Sequence, residues 1–498
     1  MSTAFKDLRE FIDELKKNGQ LAEVNAEVDW KYEIGGVVRK VLDSKGPALL
    51  FNKIKDYDSA LFTCGVSTYS RLSLALGLGV DQKLETLVTE VGRRLDNPIK
   101  ARKIASGPCK EVVLTGKQAD VLKFPVPLWQ SRDGGRYIGT WHGVITRDPE
   151  NGVLNGGMYR VMVHDKKTLG ILLARDQHIG VHYQKYRKMK KPMPVAIVIG
   201  MDPVLPFAFL TPVPLDRDEY DVAGGLRGKA VELVKCEALD LEVPATAEIV
   251  IEGEITERER IVEGPFGEWM GHYGGDAGPK PVIRVKCITH RRNPIFRGTL
   301  EGRPVNEDHV CTAVALSALA QNTMKGTFGI PGVRGIHFPA VAGGWGMAIV
   351  SVDQRYPAHT RTVAHALLSM KAGAFVKNVV VVDEDIDPFD LDQVWWAMTS
   401  RLQASRGVTI LQRGKGAFMD PSQAPDLRGF SDTLMVEAVR PYEWKPRSLS
   451  ENCCSESVHS WRFRDHRSVL RADPGFFTGH AVANSRRGAG GRGICPYL

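Results

Sequence analysis

The sequence predicts an α+β fold with a small N-terminal α/β domain, a central antiparallel barrel and a C-terminal α/β domain. A chain of 498 residues is too long for one compact core, and about 150 residues per domain gives roughly three units. Helix and strand patterns alternate near both ends, whereas strand patterns dominate residues 137–297. Prolines and glycines within residues 118–136 are typical of a boundary before this central part.

The N-terminal part begins with an amphipathic helix. Apolar residues from Phe5 to Leu15 recur at helical spacing, and Gly19 marks the expected end. The pattern then predicts three kinds of element: a helix near 33–43, a strand at 48–51 and one or two helices over 72–93. Together they predict a small α/β unit.

The central part is predicted to be a series of strands interrupted by one helix over residues 178–190. The strands are expected at 138–146, 158–164, 169–174, 195–200, 247–255 and 281–290. Residues 165–167 are the expected turn between the second and third strands. A mostly antiparallel barrel is the natural closure, since it removes exposed strand edges.

The C-terminal part alternates helix and strand, which predicts an α/β domain with a largely parallel sheet. The predicted elements are helices at 307–322 and 359–372, strands at 346–352 and 378–382, and a helix with Asp387 as its N-cap. The predicted domain limits are 1–117, 118–305 and 306–447, followed by a divergent segment at 448–498.

Composition narrows the class of protein. A hydrophobic content of 43% with 25% charged residues is typical of a globular protein, and no apolar run approaches the roughly 20 residues of a membrane span. The cysteines are scattered without a C-x-x-C pair, which predicts a cytoplasmic protein. The net charge of +8 is not concentrated in a basic stripe interleaved with aromatics, so nucleic-acid binding is not predicted. An anionic cofactor or substrate is the simpler explanation.

Two carboxylates flank a bend at residues 263–268. Glu263 and Glu268 are five residues apart, so they meet only if the chain turns between them, and Gly264, Pro265 and Gly267 favour such a turn. Two carboxyls at a dry bend suit proton transfer, because one can stay ionised beside a cation while the other donates. The alternative is a surface turn with two solvated glutamates.

Arg160 is the cation that could serve this bend. Strand alternation places Arg160 on one face with Met158 and Met162, where a guanidinium needs an anionic partner. A glutamate from the bend is one candidate partner. The alternative is an arginine whose head extends to water from the rim of the barrel.

Some residues are of metal-ligand type. His178 and His182 are four apart on a predicted helix, but no H-E-x-x-H motif is present. Glu232 lies in an apolar run, where a carboxylate is rare unless paired or bound to a cation. Asn, His and Glu ligands together would suit Mn²⁺ or Mg²⁺, although spacing alone does not show that they converge.

Five segments resemble, in family order, the UbiD family of reversible decarboxylases that use prenylated FMN. They are 155–160 (NGGMYR), 176–179 (DQHI), 231–236 (VELVKC), 244–249 (PATAEI) and 263–268 (EGPFGE). The resemblance covers residues 5–447, and five ordered motifs are far more specific than one. Residues 27–30 (EVDW) are most similar to the branch with phenylphosphate carboxylase subunits and aromatic-acid decarboxylases.

The resemblance implies a central split β-barrel of the flavin reductase-like type that binds prenylated FMN. It implies that Asn155, His178 and Glu232 hold Mn²⁺ against the cofactor phosphate, often with a K⁺ ion beside it. The residues implied to contact the cofactor are these three with Met158, Tyr159, Arg160, Leu172, Leu173, Ala174, Gln177 and, as a further phosphate contact, Lys377. Arg160, Glu263 and Glu268 match the family's catalytic network.

The implied function is reversible, non-oxidative decarboxylation of an aromatic or α,β-unsaturated acid through a covalent adduct with prenylated FMN, with Glu268 as proton donor and acceptor. The implied partners are the acid, CO₂, a flavin prenyltransferase that supplies the cofactor, and further copies of the chain in a dimer or hexamer. Two alternatives stay open: a catalytic or accessory subunit of a multi-subunit aromatic carboxylase, and an FMN-dependent oxidoreductase. The oxidoreductase would not need Arg160, Glu263 and Glu268 together. Residues 448–498 do not align and are predicted to be a disordered tail or the product of a shifted reading frame.

Overall fold

A computed structural model describes residues 5–275 and 277–444, and residues up to 443 belong to one compact unit. The α-helices of the described part are α1 Leu8–Lys17, α2 Glu33–Asp43, α3 Tyr69–Ala75, α4 Leu84–Leu95, α5 His178–Lys188, α6 Val204–Leu210, α7 Glu219–Arg227, α8 Glu307–Gly326, α9 His359–Ser369, α10 Leu391–Ser400 and α11 Ala404–Gly407. None of these helices is long and apolar enough to cross a bilayer. The segment predicted to be a divergent tail, 448–498, lies outside the described residues.

The strands in chain order are β1 Leu21–Val24, β2 Ala48–Phe51, β3 Leu61–Thr63, β4 Arg102–Lys103, β5 Val112–Thr115, β6 Tyr137–Gly139, β7 His142–Arg147, β8 Leu154–Gly157, β9 Val161–Val163, β10 Thr168–Ile171, β11 Met193–Ile199, β12 Glu232–Lys235, β13 Glu242–Pro244, β14 Ile249–Glu263, β15 Gly278–His290, β16 Phe296–Arg297, β17 Val333–His337, β18 Met347–Val352, β19 Asn378–Asp383, β20 Val408–Lys415 and β21 Phe430–Ala438. Mixed helix and strand content confirms the predicted α+β class.

The first helices follow the sequence pattern closely. Helix α1 begins where the Asp7 side chain accepts a hydrogen bond from the backbone N–H of Glu10, and the chain reverses at Gly19 with a φ of +66°. Helix α2 spans the predicted residues 33–43, and β2 is the predicted strand at 48–51. The small N-terminal sheet has the order β1-β2-β3-β16.

An antiparallel sheet forms the centre of the molecule. Its strands pair in the order β6-β9-β10-β15-β14-β11-β7-β8, and β5 adds to β15. The strand predicted at 138–146 is broken into β6 and β7, whereas the strand predicted at 158–164 begins at Val161 as β9, after a break that separates it from β8. The breaks leave residues 140–141 and 158–160 outside the ladder, where their side chains can face a cavity. Among the described residues β6 and β8 are the two end strands of this sheet. Closure of the sheet into a split barrel therefore stays a prediction.

The C-terminal sheet has the order β17-β18-β19-β21-β20. Its three central strands are parallel, as predicted, and the two edge strands pair antiparallel. The predicted N-cap of the last long helix was wrong. Asp390 caps α10 by accepting from the N–H groups of Asp392 and Gln393, whereas Asp387 accepts from the N–H of Phe389 in the turn before it.

Strands near the predicted domain limits pair across them. Strand β16 joins β3 of the N-terminal sheet, and β5 joins β15 of the central sheet. The limits at residues 117 and 305 therefore stay predictions.

A buried ion pair fixes the start of α8. The Arg297 guanidinium donates to both carboxylate oxygens of Glu307, whose side chain has no exposed surface. The same carboxylate accepts from the backbone N–H groups of Cys64 at 3.1 Å and Val66 at 3.0 Å. Since every oxygen of this buried charge is paired, the pair ties the N-terminal loop, β16 and the first turn of α8 together.

Candidate active site

A cavity of about 170 Å³ lies where the broken strands of the central sheet meet the bend at 263–268 and the first turn of α8. Its wall combines apolar and polar side chains with one guanidinium. The lining residues are Gly139, Thr140, His142, Met158, Tyr159, Arg160, Leu172, Gln177, Leu210, Phe266, Glu268, Trp269, Glu301, Asp308 and Met419. Apolar walls with a few convergent polar groups are typical of a small-molecule site.

Arg160 joins the two carboxylates of the bend. Its Nε and Nη2 atoms donate to the two oxygens of Glu263 at 2.9 and 2.8 Å, and its Nη1 donates to Oε1 of Glu268. Glu263 has no exposed surface and Glu268 is 8% exposed. The expected partnership is present, and the alternatives of a solvated surface turn and an arginine extended to water are wrong.

The bend reaches this position because glycines let backbone and side chains pass closely. Gly264 has a φ of +93°, and a Cβ on Gly134 would lie 1.9 Å from the Gly264 carbonyl oxygen. A Cβ on Gly274 would lie 2.6 Å from Cγ of Glu268. The backbone N–H of Gly267 donates to Oδ1 of Asp133 at 2.9 Å, which holds the bend against the preceding loop.

The surroundings separate the roles of the two glutamates. Burial raises the pKa of the Glu268 carboxyl above its ordinary value; Arg160 opposes this shift, and the charge of Glu263 adds to it. Glu263 takes two hydrogen bonds from Arg160 and a third at 2.8 Å from the hydroxyl of Tyr137. Glu263 is thus held by three hydrogen-bond donors away from solvent, whereas Glu268 is the carboxyl beside the cavity whose protonated form burial favours.

Asn155 and His178 lie near Glu219. The His178 Nδ1 atom is 3.2 Å from Oε1 of Glu219, whose Oε2 accepts from the backbone N–H of Gly156 at 3.0 Å. Asn155, adjacent to Gly156 on β8, is 3% exposed. Glu219 begins α7 and is 4% exposed, and sequence reasoning missed it.

The predicted third ligand, Glu232, is not brought to this group in the described structure. Its carboxylate pairs with Arg102 across the β12–β4 ladder, and its side chain is 34% exposed. The apolar residues around it are buried, but Glu232 is the first residue of β12, and its side chain faces Arg102 of β4. Glu219 therefore replaces Glu232 beside His178.

The prediction of Lys377 as a phosphate contact also needs correction. Lys377 pairs with Asp420 at 2.8 Å and donates to Ser422 at 2.6 Å. The lysine beside His178 and Glu219 is instead Lys371. Its Nζ atom lies 3.5 Å from Nε2 of His178 and donates a hydrogen bond to the Val213 carbonyl. Burial lowers the pKa of the Lys371 ammonium group.

Five of the residues expected to contact the cofactor line the cavity: Met158, Tyr159, Arg160, Leu172 and Gln177. Leu173 and Ala174 are absent from the lining among the described residues. The Ala174 carbonyl accepts from the N–H of Gln177 at 3.3 Å, and the absence of a Cβ at Gly180 lets α5 approach that carbonyl. Ala174 therefore shapes the turn before α5.

Family profiles match most of the chain. The N-terminal, Rift-related central and C-terminal domains of 3-octaprenyl-4-hydroxybenzoate carboxy-lyase match residues 12–91, 101–304 and 310–433. The chain belongs to the UbiD family. The domains occur in family order, and the matched ranges include every lining residue of the cavity except Asp308.

Individual members of the UbiD family are also similar to this chain over most of its length. It is 36% identical over 461 residues to the phenolic acid decarboxylase of Sedimentibacter hydroxybenzoicus, covering 90% of this chain and 94% of that protein. The closed form of vanillic acid decarboxylase from the same organism matches with a TM-score of 0.85 at 34% identity, covering 94% and 99% of the two chains. An evolved dimeric form of the UbiD-class enzyme HmfF from Pelotomaculum thermopropionicum, in complex with prFMN, matches with a TM-score of 0.79 at 29% identity, covering 93% and 100%.

Proposed function

We propose that this chain removes the carboxylate of an aromatic acid as CO₂ without oxidation, using prenylated FMN, and that Glu268 supplies the proton that replaces it. Membership of the UbiD family makes the chain a decarboxylase. The observation that carries the residue roles is the Arg160, Glu263 and Glu268 network on the cavity wall. Hydride transfer would not need this network, which favours decarboxylation over the oxidoreductase alternative.

The residues divide the work by charge and burial. The substrate carboxylate leaves as CO₂, and one proton takes its place on the ring carbon. Glu268 donates this proton from its neutral form, which burial favours. Arg160 orients Glu268 through Nη1, while Glu263, which also accepts from the Tyr137 hydroxyl, holds the guanidinium in place. Reversal of these steps gives carboxylation when CO₂ is abundant.

The site fits the cofactor and metal that the family implies. When bound, prenylated FMN supplies the electron sink for the electron pair left by CO₂. The cavity wall that could contact it includes Met158, Tyr159, Leu172 and Gln177. An amide oxygen, an imidazole and a carboxylate are donors that suit Mn²⁺, so Asn155, His178 and Glu219 are proposed to hold it, with K⁺ as a companion ion. Lys371 and the N-terminus of α5 are proposed to hold the cofactor phosphate.

The direct test is CO₂ release from a panel of aromatic acids by the full chain co-expressed with a flavin prenyltransferase, the proposed cofactor supplier. Mass spectrometry of the purified protein should detect prenylated FMN, and at least one acid should lose stoichiometric CO₂. Bound cofactor without turnover of any acid by the isolated chain would favour the alternative of a subunit in a larger carboxylase. Sedimentation analysis of the same sample tests the proposed homo-oligomer.

Exchange of Glu219 and Glu232 for glutamine separates the two candidate metal ligands. Glu219→Gln should lower bound Mn²⁺ at least tenfold after dialysis, because it replaces a charged donor with a weak one. Glu232→Gln is the matched control and should keep the wild-type metal content, since Glu232 pairs with Arg102. Elemental analysis provides the readout without any need for turnover. Equal metal loss in both variants would contradict the assignment of Glu219.

Decarboxylation should lose rate toward alkaline pH. Glu268 donates only when neutral, and the neutral fraction falls as pH rises through its raised pKa. The expected profile of kcat is therefore a plateau on the acidic side of that pKa and a decline above it. Steady-state kcat measured from pH 5 to 9 checks this, and a kcat that climbs with pH would assign Glu268 a different role.

A further inference from the structure

His182 is the member of the His178 and His182 pair that the proposed metal group does not use. The two histidines are one turn apart on α5, so they share one face of the helix, and α5 packs against β7 and β8. His178 reaches Glu219, whereas Nδ1 of His182 lies 3.0 Å from Oγ1 of Thr146 on β7. His182 is 1% exposed, and Thr146 has no exposed surface. The second histidine is therefore directed at the sheet.

Thr146 connects His182 to Asn155. Thr146 and Asn155 are directly opposite each other in the β7–β8 ladder, which places both side chains on one face of the sheet. Nδ2 of Asn155 donates to Oγ1 of Thr146 at 3.4 Å. The Oδ1 atom of the same amide lies 3.5 Å from the hydroxyl of Tyr159. A path of hydrogen-bonding groups thus runs from α5 through β7 to the amide of Asn155.

Asp148 sets the direction of this path. Nε2 of His182 is 3.8 Å from Oδ2 of Asp148 and makes no hydrogen bond within the described part of the chain. Burial alone would raise the pKa of the Asp148 carboxyl, but Lys185 and the backbone N–H of Glu150 lower it, so this carboxylate is charged at neutral pH. Burial lowers the pKa of His182 to about 4, so its ring carries one proton at neutral pH. A carboxylate beside Nε2 favours the tautomer with that proton on Nε2.

The tautomer determines which end of the Asn155 amide faces Thr146. With the ring proton on Nε2, the lone pair of Nδ1 accepts the hydroxyl proton of Thr146. The only donor of this hydroxyl is then used, so its oxygen must accept from the amide. The amide presents Nδ2 to Thr146 for that reason, and Oδ1 is left as the free end. The reverse orientation would place an N–H group where a cation needs an oxygen.

We propose that Thr146 and His182 are positioning residues that hold the Asn155 amide with its oxygen toward the metal ion. The inference rests on the proposed function, in which Asn155, His178 and Glu219 bind Mn²⁺. Asp148 takes part through its charge beside Nε2 of His182. Hydrogen-bonding partners of this kind fix the orientation of a metal ligand, and their loss usually lowers metal affinity roughly 10- to 100-fold. The two histidines of α5 thus differ in task, because His178 is a ligand and His182 supports another ligand.

The test titrates the metal-free full chain with Mn²⁺ at a fixed concentration of FMN, with the EPR signal of unbound Mn²⁺ as the readout. Thr146→Val keeps the shape of the side chain and removes the hydroxyl, so the Kd for Mn²⁺ should rise roughly 10- to 100-fold. Thr146→Ser keeps the hydroxyl and should restore the wild-type Kd. Thr289→Val makes the same exchange at a buried threonine of β15, which β14 and β11 separate from β7, and should also bind Mn²⁺ like the wild-type chain.

The tautomer is tested on the wild-type chain itself. Heteronuclear NMR of the chain with nitrogen-labelled histidine should show the ring proton of His182 on Nε2, and His182→Asn identifies its signals. A proton on Nδ1 would overturn the inference, as would equal Kd values for Thr146→Val and Thr289→Val, and both results leave decarboxylation untouched. The expected difference in Kd, found in a chain that releases no CO₂ from any acid, would uphold the inference and count against the proposed reaction.

Discussion

Glu268→Gln should lower kcat for CO₂ release by about 10²- to 10⁴-fold, the range usually contributed by a positioned general acid. Glutamine keeps the size of the side chain and an oxygen for the Arg160 Nη1 donor, but it has no transferable proton at neutral pH. Because Glu268 lies at the bend, away from Glu219 and Lys371, the variant should still bind the cofactor. Absorbance of the purified protein and single-turnover CO₂ release separate these two effects.

A carboxylate on the same strand system offers the control for this exchange. Glu259 lies on β14, the strand that ends at Glu263, and its exposed side chain pairs with Arg284. Glu259→Gln should release CO₂ at the wild-type rate. Turnover in Glu268→Gln within threefold of that of Glu259→Gln would remove Glu268 from the proposed mechanism.

Arg160→Met should abolish turnover and also destabilise the fold by about 3–5 kcal/mol, the usual cost of removing one partner of a buried ion pair. The substitution leaves Glu263, which has no exposed surface, with the Tyr137 hydroxyl as its described side-chain donor. Arg160→Lys keeps the charge but loses the two-point contact with Glu263. Its stability should therefore lie between that of the wild-type chain and that of Arg160→Met. The midpoint of urea unfolding, followed by fluorescence, measures the change.

The surface pair Arg284–Glu259 provides the comparison for the stability effect. Arg284→Met removes a guanidinium whose side chain is 49% exposed, and the expected loss is below about 1 kcal/mol. In the double variant Arg160→Met with Glu263→Gln, the unpaired charge is gone and part of the stability should return. Equal urea midpoints for Arg160→Met and Arg284→Met would contradict the buried network.

The catalytic network was predictable because its signal is local. A bend rich in glycine and proline between Glu263 and Glu268 can be recognised from the sequence, and Arg160 on an apolar strand face needs an anion. The structure brings all three together as expected. Their roles in the reaction are proposals that the two variants above test.

The carboxylate beside His178 was mispredicted because sequence context and burial point in opposite directions. Glu232 is surrounded by valine and leucine, which favours a buried carboxylate, yet the pairing of β12 with β4 places Arg102 beside it at the edge of the sheet. Glu219 lies in an acidic stretch typical of an exposed helix start, but the contact between α7 and β8 buries it. Tertiary packing determines which of Glu219 and Glu232 is buried, and a single sequence does not specify that packing.

The other differences between the predicted and the observed structure also arise from tertiary packing. Lys371 and Lys377 flank one turn, and only the position of α9 shows which of them reaches His178. The break at residues 140–141 interrupts a run that looks continuous in the sequence, and the strand predicted from residue 158 begins only at Val161. Asp308 in the first turn of α8 looks in the sequence like an ordinary acid at a helix start, but the structure places it on the cavity wall.

The bend that carries Glu268 is also fastened to distant parts of the chain. The indole N–H of Trp269 donates to the Gly343 carbonyl at 2.7 Å, and the Trp269 carbonyl lies 2.7 Å from Nε2 of His309 on α8. A C-terminal domain exchanged for that of another enzyme would have to preserve both contacts. Without them the Glu268 carboxyl would lose its position on the cavity wall. The C-terminal part of this chain is therefore a poor candidate for free recombination, because its residues Gly343 and His309 contact the segment that carries Glu268.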